Sequence, residues 1–275
     1  MIFRRSALLA LIASAGVFAT GHAAQAQTAP ATTAPATETA AAPIVPPDTN
    51  PFSKYVYPLT PAITTPKVTI DTADFPAGEA WAKQAQLVVE QWFPAVWQML
   101  GTQGRTPPTE VRLVFVKEQQ APAQAGGGQI SVSGPWITAH PDDFGMMVHE
   151  LTHLIQAYPG YRGKPGWLVE GIADYTRWWR YEPETPRPKI DPFKNNYSDS
   201  YRTTAAFLAY VAGKYDKALV PKLDKALRDK TYKDSIFVEI TGKDLPTLWS
   251  EFAPKPVLVP TTPATIPAAP VTPAK

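Results

Sequence analysis

The chain has 275 residues, with 26 Lys and Arg, 24 Asp and Glu, four His and no Cys. Without Cys there is no disulfide framework, no thiolate metal site and no Cys nucleophile. Charged residues make up 18%, below the usual ~25%, while 31 Pro residues are about twice the ordinary share.

The N-terminus reads Met1-Ile2-Phe3-Arg4-Arg5, then a small and apolar run from Ala7 to Ala19, then Ala24-Gln25-Ala26. A basic start, a short apolar stretch and a small-x-small close mark residues 1–26 as a secretory signal peptide cleaved after Ala26. The run is too short and too Ala-rich for the ~20 apolar residues of a membrane span. No later stretch approaches one, so no transmembrane segment is expected in the mature protein. Without Arg4 and Arg5, 24 of the 26 basic residues remain against 24 acidic ones. That balance argues against nucleic acid or a polybasic membrane patch as partner.

Residues 27–50 form an Ala/Thr/Pro-rich linker, and residues 254–275 a Pro-rich tail. Neither buries enough apolar surface to offset ordering entropy, so both are expected to be disordered. They read as solvated spacers, or as tethers giving envelope or cell-wall association. Residues 51–253 remain as one folded domain of about 200 residues, enough for a single buried core.

Within that domain Lys67 to Thr72 is a short alternating strand. Pro76 to Leu100 reads as a long helix, with Trp81, Ala85, Val88, Val89, Trp92, Val96 and Leu100 near three-and-four spacing. Pro94 should kink or divide it. Glu110 to Lys117 is the strongest strand, apolar on both faces and hence central. Gly126 to Gly128 is a turn, and Gln129 to Ala139 a strand whose Pro135 favours a sheet edge. Asp142 is positioned as N-cap of a helix running to about Tyr158. Further helices are expected over Gly166–Trp179, Ser200–Tyr215, Leu219–Lys230 and Leu245–Phe252. Strands first and helices after make an α+β fold.

The chemistry concentrates in His149-Glu150-Leu151-Thr152-His153. Helix spacing puts His149 and His153 one turn apart on one face, so both imidazoles can reach one ion. Glu150 stands beside them, near enough to take a proton from the ion's water. From this composition a chance match is below about 0.5% over the whole chain, so the pattern is read as chemistry. A catalytic zinc needs a third protein ligand and an open position. His at position 159 would complete one familiar pattern, but that residue is Pro159 and Gly is replaced by Gln156. A carboxylate is then the natural third ligand. Glu170 and Asp174, four apart in Trp167 to Tyr175, share one helical face. Glu170 suits the ion. Asp174 suits a hydrogen bond to the far nitrogen of a ligand His, or an ion pair with Arg177.

These residues resemble the gluzincin metallopeptidases, in which such a His motif is followed by a Glu-x-x-x-Asp helix. The segment is most similar to the plant basic secretory protein family, peptidases of plants and bacteria. There a His-Glu-x-Thr-His-x-x-Gln helix precedes a Glu-Gly-Ile-Ala-Asp-Tyr helix, as His149–Gln156 and Glu170–Tyr175 do here. The likeness extends more loosely over residues 65 to 253. It implies a zincin-like fold and a zinc (Zn2+) endopeptidase acting on peptide or protein substrate, with Glu150 as general base. The near-neutral charge departs from the family's basic character. The resemblance also implies a Tyr that opens the next helix and donates to the reaction's oxyanion: Tyr201, with Tyr197 as the alternative.

Strand 129–139 would receive extended substrate by strand addition. His140 either contacts substrate or lies at the surface. Trp178 and Trp179 either form a sugar-binding platform or pack in the core. Asn196 to Ser198 is a glycosylation sequon, of consequence only in a eukaryotic secretory route. Two other functions use the same metal residues: a wall- or glycan-binding module with a structural or inactive zinc, and a zinc hydrolase of another bond.

Overall fold

The computed structural model describes residues 63–102 and 104–255. The expected signal peptide and linker lie outside the described residues, as do 51–62 of the expected domain and 256–275 of the tail. The described residues form a mixed α+β fold with a small four-stranded sheet and eight helices. Strand β1 is Lys67–Asp71, followed by helix α1 (Glu79–Met99). Strands β2 (Glu110–Val116), β3 (Ala123–Gly126) and β4 (Gln129–Ser133) come next. Helices α2 (Gly134–Ala139), α3 (Gly145–Gln156) and α4 (Gly166–Thr176) follow. The last four are α5 (Tyr201–Lys214), α6 (Leu219–Arg228), α7 (Ser235–Thr241) and α8 (Leu245–Phe252). No described helix is long and apolar enough to cross a membrane.

The sheet order is β1-β2-β4-β3. β1 and β4 flank β2 in parallel, and β3 runs antiparallel to β4. β2 is therefore central, as its apolar residues predict, although only Val111, Leu113 and Phe115 are fully buried and its other face is half-covered. Gly127 and Gly128 have φ of 57° and 81°. A two-residue hairpin turn needs positive φ at both positions, which glycine adopts freely.

The expected strand over 129–139 is a correction. Only residues 129–133 are strand. Ser133 then caps α2, its Oγ accepting the Trp136 N–H at 3.3 Å, with Pro135 in the first turn. Ser followed by an early Pro is a helix-start signal, because the first-turn N–H groups need no helical partner. Nor is β4 an edge: β2 and β3 occupy both its sides, and β3 is the edge strand on that side of the sheet.

Helix α1 is not divided at Pro94. Trp92, Phe93, Val96 and Trp97 are buried around it, and their burial, at roughly 1.5–3 kcal/mol per large side chain, outweighs the ~3 kcal/mol cost of a mid-helix proline. α1 packs on β1, β2 and α3, and α3 in turn on β3, β4 and α4. In the helical half Phe207 is fully buried, with Tyr197, Phe237, Trp249 and Phe252 ringed around it at 5.7–6.3 Å.

Candidate metal centre

The site is built on α3. Its expected N-cap, Asp142, plays no such part: the helix begins at Gly145, and Asp142 instead accepts the Phe144 N–H through its carbonyl. A distant acid covers the helix start. A Cβ on Gly145 would lie 2.2 Å from the Glu182 carboxylate, so glycine there lets that negative group approach the positive end of the helix. The helix stops at Ala157, whose φ is 38° and whose N–H returns to the His153 carbonyl. Met147, Val148, Leu151 and Ile155 are buried in the core, leaving His149 and His153 to face the cleft.

Helix α4 supplies the third side. The His149 and His153 Nε2 atoms are 3.0 Å apart. The Glu170 Oε2 atom lies 3.4 Å from the first and 3.3 Å from the second. A tetrahedral ion with bonds of ~2.0–2.1 Å requires ligand atoms about 3.3 Å apart, so the triangle has the size such an ion needs. His149, His153 and Glu170 thus form a group able to hold a metal ion.

The hydrogen bonds behind the imidazoles point the same way. His149 Nδ1 lies 2.7 Å from Asp174 Oδ1. His153 Nδ1 lies 2.8 Å from Gln156 Oε1. Gln156 donates its Nε2 to the Val169 carbonyl at 3.2 Å, which fixes its oxygen as the acceptor. Both Nδ1 atoms therefore carry protons, so the neutral, ligating form of each imidazole turns its Nε2 lone pair to the carboxylate edge. Bare lone pairs so close repel one another, and a cation between them removes the conflict. Asp174 takes the hydrogen-bonding role and not the ion pair with Arg177, which binds Asp143 and Glu182 instead.

A family described as peptidase of plants and bacteria matches residues 66–252. The chain belongs to this family. Neither a curated protein nor a solved structure matches it. The family is one of peptidases, and the metal-capable triad lies inside the matched residues.

In a member of this peptidase family the charges at the site carry direct meaning. Burial opposes charging His149, but the Asp174 and Glu170 carboxylates outweigh it and lift its pKa to about 9. Burial likewise opposes ionising Glu170, yet the two imidazoles hold its pKa down at about 2. Glu150 is 7% exposed. Burial pushes its pKa up, against the pull of His149 and His153 and a hydrogen bond from the Ala125 backbone. A carboxyl raised toward neutrality suits a group that gives and takes protons.

The triad and Glu150 open onto a cleft of about 930 Å³, walled by β3 on one side and by α4 and the start of α5 on another. Tyr201 reaches it through a strained turn, with φ of 66° at Ser200 and 45° at Tyr201. Its ring stacks over His149 at 6.3 Å and 16°, and it is 55% exposed. Tyr197 turns away and packs against Trp167 and Phe207. His140 ends α2, its ring tilted against Trp136 at 4.1 Å, and does not line the cleft. Trp178 lines the cleft, whereas Trp179 packs on the core. Trp178 follows α4 on a π-helical turn, Arg177–Tyr181, a local widening frequent at functional sites.

Gln156 is the contributor whose role the sequence reading missed. Its spacing, three residues beyond His153, was the available signal, because residues three apart on a helix are neighbours.

Proposed function

We propose that this chain is a secreted zinc-dependent endopeptidase with a zincin-like fold spanning residues 51–253, exported by the segment 1–26. The observation that carries the proposal is the triangle of His149, His153 and Glu170 with ligand atoms 3.0–3.4 Å apart, beside a buried carboxyl that ligates nothing. All-N/O donors, two imidazoles and one carboxylate, are the set that catalytic zinc takes.

A zinc ion held there supplies a Lewis acid and a water acidic enough to lose its proton near pH 7. Glu150 accepts that proton and returns it to the leaving amine, a transfer its raised pKa favours in both directions. Asp174 and Gln156 hold the imidazoles in one tautomer and one orientation. Tyr201 donates its hydroxyl to the oxyanion, a contribution of roughly 2.7–4 kcal/mol if it acts as other such donors do. Extended substrate adds along β3, the edge strand that borders the cleft, and not along 129–133, whose two sides are already paired, and so lies beside Glu150.

The test is paired. Zinc content and casein hydrolysis are measured for the wild type and for Glu150→Ala. The variant should keep its zinc and lose at least ~10²-fold in rate. Equal rates would remove Glu150 from the mechanism.

A further inference from the structure

We propose that Arg202, aided by Lys164, binds a carboxylate of the substrate, so that the cleft selects acidic peptides or a peptide's C-terminus. This rests on the peptidase reading above.

Both residues line the cleft, and Arg202 adjoins Tyr201 in sequence. Three arginines gather around Trp178 and Trp179. Arg177 and Arg202 stack on Trp178, 4.0 and 4.2 Å from the ring centroid, and Arg187 stacks on Trp179 at 4.4 Å. Arg177 is neutralised by Asp143 and Glu182. Arg187 spends its donors on the carbonyls of Trp178 and Pro183. Arg202 gives one donor to the Pro186 carbonyl at 2.5 Å. Its Nε is buried without a hydrogen-bond partner.

Among the described residues, no carboxylate lies within ion-pair distance of Arg202 or Lys164. Apart from Glu150, whose carboxyl burial pushes toward its neutral form, the acids of the cleft are already committed. Asp143 is held by Arg177 and Trp136, Asp174 by His149, and Glu170 by both imidazoles. Glu182 feels the Arg202 charge, but its carboxylate is bonded to Arg177. The unspent charge on the cleft wall is therefore positive. A planar guanidinium stacked on an indole is fixed in orientation and presents donors matched to a carboxylate.

The experiment uses the zinc-loaded protein carrying Glu150→Gln, which binds peptide without turnover. A neutral hexapeptide, blocked at both ends, is compared with versions bearing Glu at each position in turn, and with the same peptide carrying a free C-terminal carboxylate. One of the charged peptides should bind at least ~10-fold more tightly than the neutral parent. A blocked Glu peptide as the best ligand assigns an acidic side chain; the unblocked peptide assigns the chain terminus. Adding Arg202→Met should bring the ratio close to one. Arg202→Glu should invert it in favour of Lys in place of Glu, a gain that a damaged fold cannot produce. A ratio near one in the Arg202 protein, or a ratio that survives Arg202→Met, overturns the proposal. A protein that cleaves casein without any such ratio overturns this inference alone. One that holds zinc and cleaves no peptide overturns the reading beneath it as well.

Discussion

Gly171 decides how closely α5 approaches the metal-capable triad, and replacing it with Ala tests that geometry. α4 and α5 form the most extensive element contact among the described residues. A Cβ at position 171 would lie 2.2 Å from Thr204 Cγ2 and 2.7 Å from Thr204 Cβ. Carbon atoms rest at ~3.5 Å or more, so the helices must part by roughly 1 Å. Such overpacking costs about 1–3 kcal/mol, and Ala returns about 1 kcal/mol in helix propensity. The net loss should be about 0–2 kcal/mol, read as a lower urea midpoint at unchanged slope. Tyr201 rides on α5 and Glu170 on α4. Activity should therefore fall by up to ~10²-fold, while metal content stays near the wild-type level. Thr204→Ser removes the nearest clashing atom and should recover part of both losses when combined with Gly171→Ala. A Gly171→Ala protein more stable than the wild type, or a double variant with no recovery, refutes the reasoning.

Asp174→Asn should weaken metal binding or activity by about 10–100-fold, because an amide supports the wrong tautomer of His149; competition with a chelator measures it. Gln156→Ala should act in the same direction through His153, and unchanged chelator competition would remove Gln156 from the site. Asp224 is fully buried, accepts a hydrogen bond from Tyr158 at 2.7 Å and binds Arg228. Burial lifts its pKa from 3.8 to about 6, against the pull of Arg228. The fold thus holds this proton more tightly than the unfolded chain does. Its stabilising contribution is present below about pH 3.8 and is lost as pH rises through about 6, at up to ~1.4 kcal/mol per pH unit. Urea midpoints at pH 4 and pH 6.5 should differ less in Asp224→Asn than in the wild type; an equal difference excludes Asp224 as the source.

The candidate metal site was legible because its geometry is local. His149 and His153 sit one turn apart on a single helix, and Glu170 and Asp174 one turn apart on another, so spacing alone nearly fixes which side chains can meet. The hairpin was half legible: Gly127 and Gly128 announce the turn, but β3 before it is Ala-Gln-Ala-Gly, a sequence of low strand propensity. β3 is a strand because β4 pairs with it, and pairing is a tertiary fact. The edge position was misassigned for the same reason, since Pro135 signals a helix start as readily as a sheet edge. Asp142 had the right chemistry for a cap, yet the acid that lies over the helix start is Glu182, which is 40 positions further along the chain and carries no local signal. The same applies to Arg202, whose unspent charge depends on Arg177 having taken both nearby acids.

Anomalous X-ray diffraction at the zinc absorption edge, from crystals of untreated purified protein, tests the central claim most directly. The account predicts one strong peak about 2.0–2.2 Å from the Nε2 atoms of His149 and His153 and from a Glu170 oxygen. A site empty of metal, or an ion bound by both histidines with Glu170 turned away, would contradict it.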